Sequence, residues 1–270
     1  EDMLCETMIP IPKNKRHSLR NSDNFRAICL QSVFCKLLDL LILMKEGDKF
    51  ASSELQFGFK EKLSAALATS VMLETVDYYV ENKGTVYALA LDATKAFDRV
   101  QFNKLFEVLL QREINPIFLR ILFNMNMNQK LSVKFGESRR ESFNVNNGVK
   151  QGGVISPTLF ALYIDGLLSQ LSKSGYGCSV GDKYCGATGY ADDLILLAPT
   201  QNALRKMISI AEKYADDFYI KFNGRKSYLM VMGRERTEIK PSILINNEIV
   251  QCTDNMTYLG HFISNNRFDT

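Results

Sequence analysis

Histidine is scarce in this chain and cysteine is scattered: two histidines and six cysteines in 270 residues. Cys5, Cys29, Cys35, Cys178, Cys185 and Cys252 show no close pairing, and only His17 and His261 could join them. That argues against a zinc site and against a disulfide framework. The cysteines read instead as small core residues of a protein kept in a reducing compartment. No apolar run approaches the ~20 residues that would cross a bilayer. Leu37–Met44 is too short and is flanked by Lys36 and Lys45, so no membrane partner is expected. A secretory leader is lacking too, and the first residue is Glu1 rather than methionine, so the chain is expected to be a segment of something longer. No repeat, low-complexity tract or long linker interrupts it.

Hydrophobic residues make up 46% of the chain and charged residues 23%. This is the balance of a soluble globular protein, sufficient for one large domain or two small lobes. The net charge of +3 is unevenly placed. Between residues 10 and 30, Lys13, Lys15, Arg16, Arg20 and Arg26 stand against Asp23 alone. A basic patch on a near-neutral body points to a local polyanion contact, with a solvated loop as the bland alternative.

Periodicity predicts a mixed order of elements. Ile9-Pro10-Ile11-Pro12 reads as an edge strand or an extended entry, and residues 25–30 as a strand. A helix over 32–44 carries Val33, Leu37, Leu40, Leu41 and Met44 three or four apart, and another over 64–80 carries Leu67, Val71, Val76 and Val80. Residues 85–91 are nearly all apolar, as in a central strand covered on both faces. Helices follow at 101–112 and 116–126, then a hairpin over 131–145 and a flexible loop at 147–153. Ser156-Pro157 opens a helix to about residue 171. A helix over 201–218 and strands near 228–232, 243–250 and 257–263 complete an α+β chain, with helices backing an antiparallel sheet.

The stretch Ala187-Thr188-Gly189-Tyr190-Ala191-Asp192-Asp193-Leu194-Ile195-Leu196-Leu197 sets two adjacent carboxylates inside what otherwise reads as buried strand. Unpaired carboxylates are costly to bury, so a tight hairpin presenting both to a divalent cation is the economical arrangement. Asp92 ends the apolar strand about a hundred residues earlier. If the two strands are neighbours, three carboxylates converge and could hold two divalent ions ~3.5–4 Å apart, as in nucleotidyl-transferring enzymes. Mg²⁺ suits a site with few protein carboxylates, since phosphates and water complete its shell. Structural salt bridges are the competing reading of the same residues.

Leu91-Asp92-Ala93-Thr94-Lys95-Ala96-Phe97-Asp98-Arg99-Val100 resembles the first catalytic motif of reverse transcriptases, and Tyr190-Ala191-Asp192-Asp193 their second. Asn147 to Phe160, with Gln151-Gly152-Gly153 and Ser156-Pro157, resembles the loop and helix between them. The style is that of non-LTR, LINE-type retrotransposons, near the Jockey-like group. Asn24-Phe25-Arg26-Ala27-Ile28 and Gln56-Phe57-Gly58-Phe59-Lys60 resemble fingers motifs. Phe222-Asn223-Gly224-Arg225-Lys226-Ser227 resembles a later palm motif, and Tyr258-Leu259-Gly260 a primer grip.

The resemblance implies a polymerase right hand with fingers over 1–84, part of 101–150 being a further candidate for them, and a palm over 85–270 with the primer-grip segment at 243–263. It implies an RNA-directed DNA polymerase that adds dNTPs to a DNA primer, or to nicked target DNA, on an RNA template. Asp92, Asp192 and Asp193 would hold two Mg²⁺ ions, with Mn²⁺ as a substitute. Phe97 would exclude a ribose 2′-hydroxyl. Gln151 and Gly152 would line the nucleotide and template pocket, with Tyr190 and Ala191 beside the substrate. Arg26 and Lys13 would meet the triphosphate, and Lys226 would protonate the pyrophosphate. The family also implies a nuclear location.

The departures are Ala27 where proline is usual, Ala65 where Ser-Thr is usual and Asp39 where glutamate is common. A thumb is expected to be absent. The alternative expectation is therefore an inactive remnant that at most binds nucleic acid.

Overall fold

The computed structural model describes residues 5–14, 20–233 and 241–265. Lys15 and Arg16 of the basic stretch, and His17 beside them, lie outside the described residues. The helices are α1 (Val33–Glu46), α2 (Ala65–Glu81), α3 (Ala96–Arg99), α4 (Phe102–Leu110), α5 (Pro116–Met127), α6 (Ser156–Lys173) and α7 (Gln201–Asp217). The first strands are β1 (Cys5–Pro12), β2 (Phe25–Leu30), β3 (Thr85–Leu91), β4 (Lys130–Phe135), β5 (Ser138–Arg139) and β6 (Phe143–Asn144). They are followed by β7 (Ser179–Val180), β8 (Lys183–Tyr184), β9 (Ala187–Tyr190), β10 (Asp193–Ala198) and β11 (Tyr228–Gly233). None of the described helices is long and apolar enough to cross a membrane.

The contacts divide the chain into two compact units. One gathers the residues up to Ala51 with Phe97–Tyr163, and the other Ser52–Ala96 with the residues from Ile164 onward.

In the first unit a sheet of order β2-β1-β4-β5 carries β6 as a further partner of β4. The edge-strand expectation for Ile9–Pro12 needs correction, because β1 lies inside this sheet. Its parallel pairing with β4 stops at Met8, however, while the antiparallel pairing with β2 continues to Pro12. Pro10 and Pro12 therefore lie where that side of the strand has no β4 partner, so no ladder bond is lost.

Helix α1 is also corrected. Ser32 caps it, accepting from the Cys35 amide, but its stripe of Val33, Leu37, Leu40, Leu41 and Met44 is exposed, Met44 by 82%. The inward face is Cys35, Asp39 and Ile42. A helix apolar nearly all round offers periodicity no way to choose a face. Here a buried polar contact goes with the choice: Asp39 accepts from Gln31 Nε2 at 2.8 Å. A second buried charge, Glu6, meets Lys150 Nζ at 2.7 Å.

The second unit is built on a sheet whose strands β11-β3-β10-β9 are all antiparallel, with residues 251–252 added in parallel beside β11. Alternation splits the sheet residues between two buried faces. Val86, Ala88, Ile195, Leu197, Met230 and Met232 pack with Met72 and Val76 of α2. The opposite-parity residues Leu89, Leu194, Leu196 and Leu229 are equally buried, on the side where Leu168 of α6 approaches Gly189. Helices α6 and α7 touch closely, since a Cβ on Gly166 would lie 2.7 Å from the Tyr214 hydroxyl. In α7, Leu204, Met207, Ile208, Ala211 and Ala215 form the buried stripe, and Phe218 lies half-buried just past the helix end.

The two final strands expected from sequence are each a hairpin. Leu244–Ile245 turns at Asn246-Asn247 (φ +50° and +62°) into Glu248–Ile249. Asn255–Tyr258 turns at Leu259-Gly260 (φ +49° and +82°) into His261–Ser264. Both loops are of the two-residue kind with left-handed central residues. Leucine is an unusual residue there, so the second loop carried no clear turn signal.

Candidate functional site

The chemistry-bearing residues of the second unit sit at one end of its central strands. β3 runs out at Leu91, which pairs with Leu194 of β10, so Asp92 emerges abreast of Asp193. Tyr190 pairs with Asp193, leaving Ala191-Asp192 as a two-residue turn. The three carboxylates thus come from two adjacent strand ends, as the expected neighbour relation requires. Asp193 keeps contact with solvent, yet the strand beneath it is apolar. Its carboxyl is pushed up from an ordinary 3.8 to about 6, by burial first and then by the Asp192 and Asp92 carboxylates.

Ala191 has φ +58°, a left-handed value that residues with a Cβ seldom adopt. The segment Leu55–Gly58 lies against it. Phe57 N donates to Gly189 O at 2.7 Å and Gly189 N to Leu55 O at 2.8 Å, so the segment pairs alongside β9. Gln56, which is fully buried, accepts at Oε1 from Ala191 N at 2.9 Å and from Gly58 N at 2.9 Å, and donates from Nε2 to Ala191 O at 3.4 Å. Gln56 stands in one of the fingers-like motifs, and nothing local to it in the sequence assigns it a role at the site.

The other flank of Asp92 is residues 221–227. Asn223 N donates to Asp92 O at 3.0 Å and Thr94 N to Lys221 O at 2.8 Å. Ser227 Oγ accepts from Asp92 N at 3.1 Å and donates to Asn223 O at 2.7 Å. Lys226 is exposed at the end of this short turn, its amide held by Asn223 Oδ1 at 3.2 Å. Of the expected primer grip, Tyr258 is buried in the core with its hydroxyl pKa raised by burial. Leu259 and Gly260 form the hairpin tip.

The remaining expected residues belong to the first unit. Phe97 stacks on Phe160 with centroids 4.4 Å apart and planes at 14°, and its carbonyl accepts from Val149 N at 2.9 Å. Gln151 bridges to Ile28, with Cys29 N donating to Gln151 O at 2.7 Å. Gly152 follows at φ +113°, where a Cβ would lie 2.6 Å from Cys29 O; only glycine fits. Arg26 and Lys13 are exposed on the β1–β2 ribbon. Arg26 pairs with Ile11, and Lys13 follows just past the end of β1, its amide donating to Asn24 O at 2.6 Å.

Carboxylate oxygens are hard donors, and their mutual repulsion at Asp193 favours a cation. The donor set near Asp92 therefore fits Mg²⁺ chemically. Among the described residues no group of three or more His, Cys, Asp or Glu side chains is arranged to hold a metal ion. The protein's ligands would then be few, with the rest of the shell left to phosphate and water.

A four-stranded antiparallel core, backed by helices and bearing carboxylates at adjacent strand ends, defines a palm-and-fingers polymerase fold. The solved structure of apo telomerase from Candida tropicalis, truncated from its C-terminal domain, aligns with a TM-score of 0.67 at 15% identity, covering 99% of this chain and 55% of that one. The family described as reverse transcriptase (RNA-dependent DNA polymerase) matches residues 11–263, and the chain belongs to it.

Its relatives are polymerases of non-LTR retrotransposons. A Pol polyprotein of the type-1 element R2 from Popillia japonica is 26% identical over 266 residues, 95% of this chain and 37% of the relative. The RNA-directed DNA polymerase of mobile element jockey from Drosophila funebris is 23% identical over 248 residues, 88% of this chain and 26% of the relative. The chain thus spans roughly a quarter to a little over a third of these relatives' length. Polymerases of this family bind an RNA template and generally use divalent metals.

Proposed function

We propose that this chain carries out RNA-directed DNA synthesis, adding deoxynucleotides to a DNA 3′ end on an RNA template. One observation carries the reading: Asp92 and Asp193 stand abreast on paired strands with Asp192 in the turn between β9 and β10. Asp92 and Asp192 are the proposed metal ligands, with Asp193 assisting or hydrogen-bonding nearby. Two Mg²⁺ ions, when bound, would activate the 3′-hydroxyl and steady the leaving pyrophosphate. Ser227 and Asn223 hold the backbone of Asp92 and so fix where its side chain starts.

Phe97 is the proposed barrier to a ribose 2′-hydroxyl, and Gln151 with Gly152 the wall of the nucleotide and template pocket. Arg26 and Lys13 are proposed for the triphosphate, Lys226 for protonating pyrophosphate, and Tyr258–Gly260 for the primer. Fingers are proposed for residues 1–84 with part of 101–150, and palm for the remainder. The parallel pairing of β1 with β4 supports including the later segment among the fingers. Priming from nicked chromosomal DNA in the nucleus is the setting we propose.

A second reading is a remnant that binds nucleic acid without chemistry, for which the exposed cations Lys13 and Arg26 would serve. Primer extension on RNA with Mg²⁺ separates the two. Extension by the wild type that vanishes in Asp192→Ala supports catalysis. Template binding without extension at any salt leaves the remnant.

A further inference from the structure

We propose that Gln56 is a positioning residue for the carboxylate turn, holding Ala191 in the left-handed conformation from which Asp192 is presented. The effect on rate rests on the polymerase reading; the structural effect does not. A two-residue hairpin loop whose first central residue has positive φ is normally built with glycine. Alanine at φ +58° is strained, and strain of this kind persists only where surrounding contacts over-determine it. A relaxation of Ala191 to negative φ would rotate the peptide joining it to Asp192 and redirect that side chain.

Gln56 opposes the relaxation by engaging both polar groups of the strained residue. Its Oε1 takes the Ala191 N–H and its Nε2 reaches the Ala191 carbonyl, a matched pair that another φ would break. The glutamine is itself held. Its main chain pairs with Gly189, and Gly58 N donates back to the same Oε1. Gly58 also makes room, because a Cβ there would lie 2.4 Å from Ala191 N. Gln56-Phe57-Gly58 therefore pairs with the hairpin, clamps its turn and leaves space for the clamp. Turn amides are ordinarily served by water; Ala191 is only 7% exposed, so a side chain 135 residues away serves it instead.

The test is Gln56→Met, which keeps the side-chain length and removes the hydrogen bonds, compared with the wild type and with Gln56→Met/Ala191→Gly. Single-nucleotide incorporation is expected to lose ten- to a hundredfold in kcat, with KM for the dNTP within threefold. Exchange of the Ala191 amide should quicken at least tenfold while Leu196, in the middle of β10, stays protected. Glycine takes positive φ without strain, so the double variant should recover at least threefold in kcat, although the Ala191 amide still lacks its partner.

Unchanged Ala191 exchange overturns the proposal, as does quickened exchange with kcat within twofold of wild type. Uniform loss of protection across β9 and β10 with no glycine rescue also overturns it, leaving a purely structural role. If the wild type itself incorporates nothing, the polymerase reading falls and Ala191 exchange alone decides the positioning claim.

Discussion

Lys150→Met should destabilise the protein by an amount that depends steeply on pH. Lys150 Nζ lies 2.7 Å from Glu6 Oε1, and the two residues are 8% and 2% exposed. The other oxygen, Glu6 Oε2, is buried without a hydrogen-bond partner. Burial already raises the Glu6 pKa above its ordinary 4.5, with Lys150 pulling the other way. With the lysine gone, the carboxylate must take up a proton to stay buried. Holding a glutamate neutral at pH 7 costs about 3.4 kcal/mol, at 1.36 kcal/mol per pH unit above its unfolded value, and at pH 5 only about 0.7 kcal/mol. The neutral-pH figure falls within the ~3–5 kcal/mol seen when one partner of a buried pair is removed.

Urea unfolding of wild type and variant from pH 5 to pH 7 measures this difference directly. With a slope of about 3 kcal/mol/M, the variant's midpoint should fall by about 1 M at pH 7 and by a quarter of that or less at pH 5. Glu6→Gln with Lys150→Met removes both charges, so its loss at pH 7 should be smaller than that of the single variant. That loss should shrink rather than grow from pH 5 to pH 7, because the raised Glu6 of the wild type loses its own contribution as pH rises. A penalty for Lys150→Met that is the same at pH 5 and pH 7 would refute the reasoning, because it would mean that Glu6 is not buried as a charge.

Asp39 is 1% exposed, and burial raises its pKa. A raised acid contributes its stability fully below its unfolded value and loses it as pH rises through the folded one, so the stability of wild type relative to Asp39→Asn should decline from pH 4 to pH 7. Chemical denaturation at each pH checks the sign, and a flat difference rejects it. Gly152→Ala should cost about 3 kcal/mol, from left-handed strain together with overpacking against Cys29 O; a midpoint shift equivalent to less than about 1 kcal/mol would show that the 28–29 segment yields freely. Phe97→Ala should reduce discrimination between dNTP and rNTP at least tenfold in single-turnover incorporation. An unchanged ratio with lowered stability would make Phe97 only the stacking partner of Phe160.

The parts of the molecule legible in sequence are those whose cause is local. The run 85–91 is apolar at every position but its first, so burial on both faces was its one economical state, and β3 lies between β10 and β11. The stripe of α7 has a polar opposite face and could pack only one way. Helix α1 has no such contrast, and its buried face holds Asp39, which meets Gln31 and the Ile155 amide. The hairpin at 255–264 was hidden because Leu259 occupies a position where glycine or asparagine would have signalled a turn.

The convergence of Asp92, Asp192 and Asp193 was legible because carboxylates at the ends of apolar strands are costly to bury unpaired. The supports around them were not. Gln56 meets Ala191 across 135 residues and Ser227 meets Asp92 across the same span, while Glu6 finds Lys150 across 144. Composition, periodicity and motif spacing determine most of which segments are strand or helix and which carboxylates stand at the ends of apolar strands. Which distant amide or hydroxyl then meets each buried group is decided by sheet pairing. Tertiary structure alone supplied the clamp on Ala191, the hydroxyl behind Asp92 and the partner of Glu6.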